Sequence, residues 1–428
     1  MRLARLWLGR LGLALFAAMA SVAALAQTPE MVARADDVVG VLRGTTWEPD
    51  VFAPSFIAQV PPGQVRALAE KLNAQYGKVG RVESISPRNA SEAEIVIGYD
   101  RALTRFNLVL DPAPPHRVIG LWLTSATVRG DSVEKLRADM AALPGQAALL
   151  VTRLDTPAAP IITYNAERQM AVGSSFKLWL LAETVWQVSR RERRWSDTVP
   201  LGGPSLPSGL VQDWPKGAPI TLHSLATLAI SISDNTASDT LLASLGRTRV
   251  DAMVRRIGHS DAARTLPILS TVEAFALKMR ANADLRAQWL VSDPTSRLDM
   301  LTTARDRLGL SKIDRTQLAG PPRSIDSIEW FASALDMATT LDWLRRANSA
   351  EARAIMAIAP GIPSGEAARF AYVGYKGGSE IGVFAMNFLV QTKAGAWYSV
   401  TGSWNNGDAA VNSARFEALM SRALAFIP

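Results

Sequence analysis

Ser174 and Lys177 stand three residues apart at the start of an apolar run, GSSFKLWLLAETVW, from Gly173 to Trp186. The spacing is one helical turn, so both side chains fall on one side of a helix N-terminus. A serine there has its hydroxyl beside unpaired backbone N–H groups and the positive end of the helix dipole, which favour an oxyanion. The hydroxyl is a weak nucleophile at neutral pH and needs a base. The three histidines, His116, His223 and His259, are scattered, and no G-x-S-x-G elbow is present. A lysine in a desolvated site, with its pKa lowered, can take the proton instead. The plain alternative is that Lys177 only extends its stem past apolar neighbours to reach water.

S-x-x-K alone is weak, because Ser132 and Lys135 (SVEK) match it too. That copy reads as part of a polar linker with no hydrophobic helix behind it. The first copy gains weight from two motifs further along the chain. Ser233-Asp234-Asn235 lies between two helical segments, TLHSLATLAIS and TASDTLLASLG, hence in a loop at a helix junction. The same triplet also suits a plain helix N-cap. Lys376-Gly377-Gly378-Ser379 comes after FAYVGY on a strand, where a lysine can also be a solvated edge residue. A second K-x-G, Lys393-Ala394-Gly395, falls in a hairpin turn with no serine after it. S-x-x-K, S-D-N and K-x-G in that order are far more specific than any one of them.

The elements around these motifs define two units. The segments AALLVTRLD and APIITYNAE read as two strands; RFAYVGYKGGSE, GVFAMNFLVQTK and AWYSVTGSWN as three more; NSARFEALMSRALAFI as a closing helix. Helices fill the region between. The fold class is therefore α/β (α+β): one five-stranded antiparallel sheet flanked by helices, over residues 147–428. Residues 29–125 read as a separate small α+β domain. It has helices at Met31–Leu42 and Pro62–Tyr76 and then four strands. No motif with chemistry lies in that domain; Arg88 or Arg101 could reach a substrate acid if the domain covers the cleft.

The N-terminus, MRLARLWLGRLGLALFAAMASVAALAQ, has a basic start, an apolar run and a small-residue site ending at Ala26. This is the pattern of a secretory signal cleaved after Ala26, and it implies a periplasmic or secreted protein. Loss of its three arginines takes the formal net charge from +7 to +4. That balance, with no basic stripe interleaved with aromatics, leaves no case for nucleic-acid binding. There are no cysteines, which excludes disulfides, thiol catalysis and thiolate metal sites. No metal or other cofactor is implied, and no further segment is long and uncharged enough to span a membrane.

On the three motifs, residues 147–428 resemble the penicillin-recognising serine enzymes, and among them class A β-lactamases. The N-terminal addition, with DPAPPHRVIGLWL, resembles the isomerase-like domain, of nuclear-transport-factor/cystatin type, found in certain β-lactamase-like serine hydrolases, one of them in clavulanic acid biosynthesis. The resemblance implies that Ser174 is the acylated nucleophile, Lys177 its base, and Ser233 a proton relay to the leaving group. It implies that Asn235 binds a substrate amide and Lys177, and that Lys376 attracts a substrate carboxylate and helps keep Lys177 neutral. Backbone N–H groups of Ser174 and Ser379 would form the oxyanion hole, with Gly378 between Lys376 and Ser379. Two departures stand out. Gly377 replaces the family's usual hydroxyl residue, and no E-x-x-L-N pattern supplies the deacylating glutamate. The stretch RTLPILSTVEAFALKM, Arg264 to Met279, runs on to the next helix as if that loop were shortened; Glu273 reads as a first-turn helix residue.

These readings support two classes of function. One is an exported acyl-serine hydrolase acting on small-molecule β-lactams or related amides and esters. It includes a penicillin-binding-type peptidase or a small-ester esterase with weak β-lactamase activity. The other is a non-hydrolytic ligand-binding protein that keeps the cleft.

Overall fold

The computed structural model describes residues 27–156 and 159–428; the expected signal, residues 1–26, lies outside them. The described chain begins with α1 (Pro29–Arg43). Thr28 caps it by accepting from Met31 N, Pro29 opens it, and Gly44 closes it in the left-handed region. α2 (Pro62–Tyr76) comes after two short helical turns. β1 (Val79–Pro87), β2 (Glu92–Tyr99), β3 (Ala102–Leu110) and β4 (Val118–Val128) pair antiparallel in chain order. Val38, Leu42, Val65 and Leu72 of the helices pack on Ile95, Ile97, Phe106 and Leu108 of this sheet.

Where the sequence suggested a polar linker, the chain forms α3 (Val133–Ala141). Ser132 caps it, accepting from Lys135 N at 3.1 Å. Leu136 and Met140, one turn apart, are buried, while its other face is charged.

The second sheet is five-stranded, and its order runs from the three strands nearest the C-terminus to the two that open the unit. β5 (Gln146–Arg153) and β6 (Ile162–Tyr164) come from its start, and the two-residue strand β7 (Met170–Ala171) lies beyond them. α4 (Lys177–Ser189) enters from a single 3-10 turn, Gly173–Phe176. Then come α5 (Leu222–Ser231), α6 (Asn235–Leu245), α7 (Arg247–Ile257), α8 (Thr271–Leu277), α9 (Ala283–Val291), α10 (Pro294–Thr303), β8 (Phe331–Ala332), α11 (Ala334–Ala347) and α12 (Ala350–Ala357). The chain ends with β9 (Phe370–Glu380), β10 (Val383–Thr392), β11 (Trp397–Asn405) and α13 (Ser413–Ala425). The five strands expected from the sequence thus form one antiparallel sheet with helices on both faces.

β10 shows why. Its run VFAMNFLVQT is apolar on both sides, as a strand covered on both faces must be. Ala385 and Leu389 face the core with α4 and α5, whereas Met386, Phe388 and Val390 face α3 and α13. Helix α4 is buried almost all round: Leu178, Trp179, Leu180 and Ala182 are fully covered, which marks a central core helix.

One long segment departs from expectation. Instead of a shortened loop after Arg264, the chain leaves a neck at Thr265 and returns at Phe331. At the neck β7 pairs with β8, Phe331 N donates to Thr265 Oγ1 (3.0 Å) and Val172 N donates to Trp330 O (2.9 Å). His259 closes the same neck, its Nε2–H donating to Phe331 O (2.8 Å) while Nδ1 accepts from Asp261 N. Between the two sides of the neck, α8, α9 and α10 and several 3-10 turns form a large flap against the sheet edge. No helix among the described residues is long and apolar enough to cross a membrane.

Candidate active site

A cleft of about 840 Å³ opens between the Ser174 turn, the α5–α6 junction, the returning flap and strand β9. Ser174, Ser233, Asn235, Lys376, Gly378 and Ser379 all line it, and Lys177 lies immediately behind them. The three motifs, separated in sequence, therefore converge on one cavity.

Lys177 does not reach water: it is 0% exposed in the first turn of α4. Its Nζ donates to Ser233 O (2.7 Å), Ser233 Oγ (3.3 Å) and Asn235 Oδ1 (2.8 Å). Burial lowers its pKa to about 7, against the opposing pull of Asp239 and Asp234. A neutral amine is therefore available near neutral pH.

The S-D-N loop owes its shape to Asp234. That buried carboxylate caps α6 through Ala237 N (2.8 Å) and ties down Leu210 N (2.6 Å) and Val211 N (3.0 Å). So anchored, Ser233 is held at φ +59°, a costly conformation for a serine. This aims its hydroxyl between the two lysines, since Lys376 Nζ donates to the same Oγ at 3.0 Å. Asn235 is fixed from both ends of its amide, donating to Leu206 O (3.3 Å) while accepting from Lys177.

Lys376 is 3% exposed, and its Nζ also donates to Gly377 O at 2.6 Å. Burial, and then the charge of Lys177, push it well below the ordinary lysine range. The like-charge effect expected to neutralise Lys177 thus falls on Lys376, whereas Lys177 is lowered by burial. Two buried ammonium groups competing for one serine hydroxyl cannot both stay charged at low cost.

Gly378 explains how a strand comes so near the serine. A Cβ there would collide with Val172 O and stand 2.6 Å from Ser174 N and 2.8 Å from Ser175 N. Gly173, at φ +49°, faces Ser379 N across the same contact. The amides of Ser174 and Ser379 are therefore neighbours at the cleft. Asn387, opposite Lys376 on β10, holds this contact from beneath by donating to Ser175 Oγ (2.9 Å) and Lys376 O (3.2 Å).

Several residues weighed in the sequence stand elsewhere. Arg88 pairs with Glu92 and Glu94, and Arg101 donates to Gln75 O; neither lines the cleft, so the small domain contributes no cation to it. Lys393 and Gly395 sit in the β10–β11 turn, away from it. Glu273 completes a capping box with Ser270 and pairs with Arg247 (2.7 Å). The carboxylates that do line the cleft, Glu329 and Glu380, were missed in the sequence. Lys278 grips both, at 2.9 Å and 2.6 Å, and Glu380 is pushed up to about 8, chiefly by burial and then by Glu329. Arg315, at the exposed rim of the flap, was missed as well. Nothing local marks Arg315 and Glu329, because the neck at Thr265 and Phe331 is a tertiary contact; Glu380 directly follows Ser379 on β9, and only its ion pair with Lys278 from the flap draws attention to it.

A profile of the Beta-lactamase enzyme family matches residues 131–354. Similar solved structures include a beta-lactamase from Sphaerobacter thermophilus DSM 20745, with 21% identity, 69% of this chain and 97% of that one covered, and a TM-score of 0.47. Another is a mutant of PBP-A in an acyl-enzyme complex with penicillin G, with 14% identity, 69% and 94% covered, and a TM-score of 0.47. A third is a beta-lactamase from Chitinophaga pinensis DSM 2588, with 17% identity, 68% and 96% covered, and a TM-score of 0.46. No curated protein sequence matches the chain.

Proposed function

The chain belongs to the Beta-lactamase enzyme family, and from that premise we propose that it is an exported serine hydrolase working through an acyl-Ser174 intermediate on β-lactams or related amides and esters. The observation that carries this reading is the buried Lys177 amine, hydrogen-bonded to Ser233 and Asn235 and lowered to about 7. A binding protein has no use for a serine–lysine pair whose amine is desolvated at such cost. In this mechanism neutral Lys177 takes the Ser174 proton as Oγ attacks the carbonyl carbon. The amides of Ser174 and Ser379 stabilise the oxyanion. Ser233, between Lys177 and Lys376, passes the proton to the leaving nitrogen or oxygen. Asn235 positions a substrate amide, and Lys376 attracts an anionic group. Export rests on the signal pattern ending at Ala26. The division into a signal (1–26), a small isomerase-like domain (29–125) and a hydrolase domain (147–428) is part of the same proposal.

Hydrolysis of the acyl-enzyme is slow in this reading. Among the described residues lining the cleft, the carboxylates are Glu329 and Glu380, and both are held by Lys278. That favours a penicillin-binding or esterase-like role over a fast β-lactamase. The test is to incubate the mature chain with a fluorescent penicillin and record intact mass, with Ser174→Ala as control. A persistent adduct lost in the variant supports the reading. Rapid drug hydrolysis without an adduct would point to a working deacylation base, and no reaction at all would remove β-lactams from the substrate list.

A further inference from the structure

Tyr375 stands one residue before Lys376 on β9 and lines the same cleft. Its ring packs on Phe388, with centroids 4.8 Å apart, and over Gly361, where a Cβ would stand 2.6 Å from Tyr375 Cδ1. Held there, the phenol reaches along the strand to the place where a Gly377 side chain would begin: a Cβ on Gly377 would collide with Tyr375 Oη and stand 2.9 Å from its Cζ. Residues 375 and 377 share one face of the strand, so this reach needs no distortion. Tyr372 Oη donates to Arg353 O at 3.0 Å, but Tyr375 Oη makes no hydrogen bond among the described residues. Burial, and then Glu417, push the phenol above its ordinary range, so it remains a neutral donor at any physiological pH.

Lys376 Nζ lies on Gly377 from the other side, donating to its carbonyl at 2.6 Å. Because β9 is the edge strand of its sheet, a ligand along its open edge can meet groups from both faces. Two donors, an amine and a phenol, thus converge at a glycine that leaves room between them. Such a pair suits an acceptor with two oxygens and a negative charge.

We propose that Tyr375 is a substrate-positioning residue whose hydroxyl, together with Lys376 Nζ, seats a carboxylate of the molecule that acylates Ser174. Gly377 is small because the tyrosine supplies the hydroxyl in its place. The assignment rests on reading this cleft as the acylation site.

The test compares a penicillin with its methyl ester, which keeps the scissile amide and masks the carboxylate. Acylation rate constants are read by intact mass for the wild-type mature chain, Tyr375→Phe and Gly377→Ala. In the wild type the free acid reacts faster than the ester. In Tyr375→Phe that ratio falls about tenfold, as expected for losing one hydrogen bond to a charged group. In Gly377→Ala it falls too, because the new Cβ displaces the hydroxyl. An unchanged ratio in Tyr375→Phe, with both probes still forming adducts, overturns this assignment and leaves the acyl-serine reading standing. If the wild type forms no adduct with either probe, both fall together.

Discussion

The chain carries the S-x-x-K pattern twice, at Ser132–Lys135 and at Ser174–Lys177, in opposite surroundings. At the first, Ser132 caps a short amphipathic helix, and Lys135 is exposed, its Nζ reaching only Arg129 O at 3.4 Å. At the second, the helix behind the lysine is buried all round, and the amine is walled in by Ser233 and Asn235. Spacing places serine and lysine one turn apart in both. Desolvation and two distant partners make one lysine a candidate base and leave the other an ordinary surface cation. The lesson is that the pattern sets proximity while the core behind it sets the pKa.

Substitutions at the two sites test this contrast. The largest effect is expected for Ser174→Ala, which removes the acylated oxygen; adduct formation should fall by at least about a thousandfold. Next is Lys177→Met, with a loss on the order of a hundredfold or more, against no change for Lys135→Met. In the wild type, acylation should climb with pH through about 7 as the buried amine loses its proton; a flat profile would refute Lys177 as the base. Stability gives the same contrast with a definite sign. Between about 7 and the ordinary lysine value, the unfolded chain holds a proton at Lys177 that the folded chain does not. The stability of the wild type relative to Lys177→Met should therefore rise with pH across that window, as denaturant melts at several pH values would reveal. Gly378→Ala should come third. Its Cβ would force β9 off the Ser174 turn and slow acylation more than about tenfold while the fold survives, as circular dichroism can check. The smallest effect is expected for Ser132→Ala. It should lower stability by about 1 kcal/mol through loss of an N-cap, with acylation unaltered.

The contrast also shows what could be seen in advance. The five strands were legible because β5, β10 and β11 are dense in apolar and β-branched residues, and α4 because of its continuous greasy run. Ser174, Lys177, Ser233, Asn235 and Lys376 were legible as motifs, but only proximity in the fold brings them to one cavity. Helix α3 was missed because just two apolar residues, Leu136 and Met140, mark its inner face. The flap was misread because its closure depends on Thr265 and His259 meeting residues far along the chain at Phe331. Nothing in the strand run FAYVGY singles out Tyr375, because its packing on Phe388 and its reach to Gly377 exist only in the folded sheet. Local pattern reports local structure well, and long-range contacts leave no trace in it.

The strand order β9-β10-β11-β5-β6 has a consequence for how the molecule is made. β5 is synthesised early, at residues 146–153, yet its neighbour is β11, at residues 397–405, close to the C-terminus. Until the final strands emerge from the ribosome, the edge of β5 has no native partner, and closing so long a loop is entropically slow. The first sheet, whose four strands pair in order, faces no such wait. A nascent chain of this topology keeps its larger unit open through most of translation. It also leaves that edge exposed to chaperones, and to misfolding, for longest.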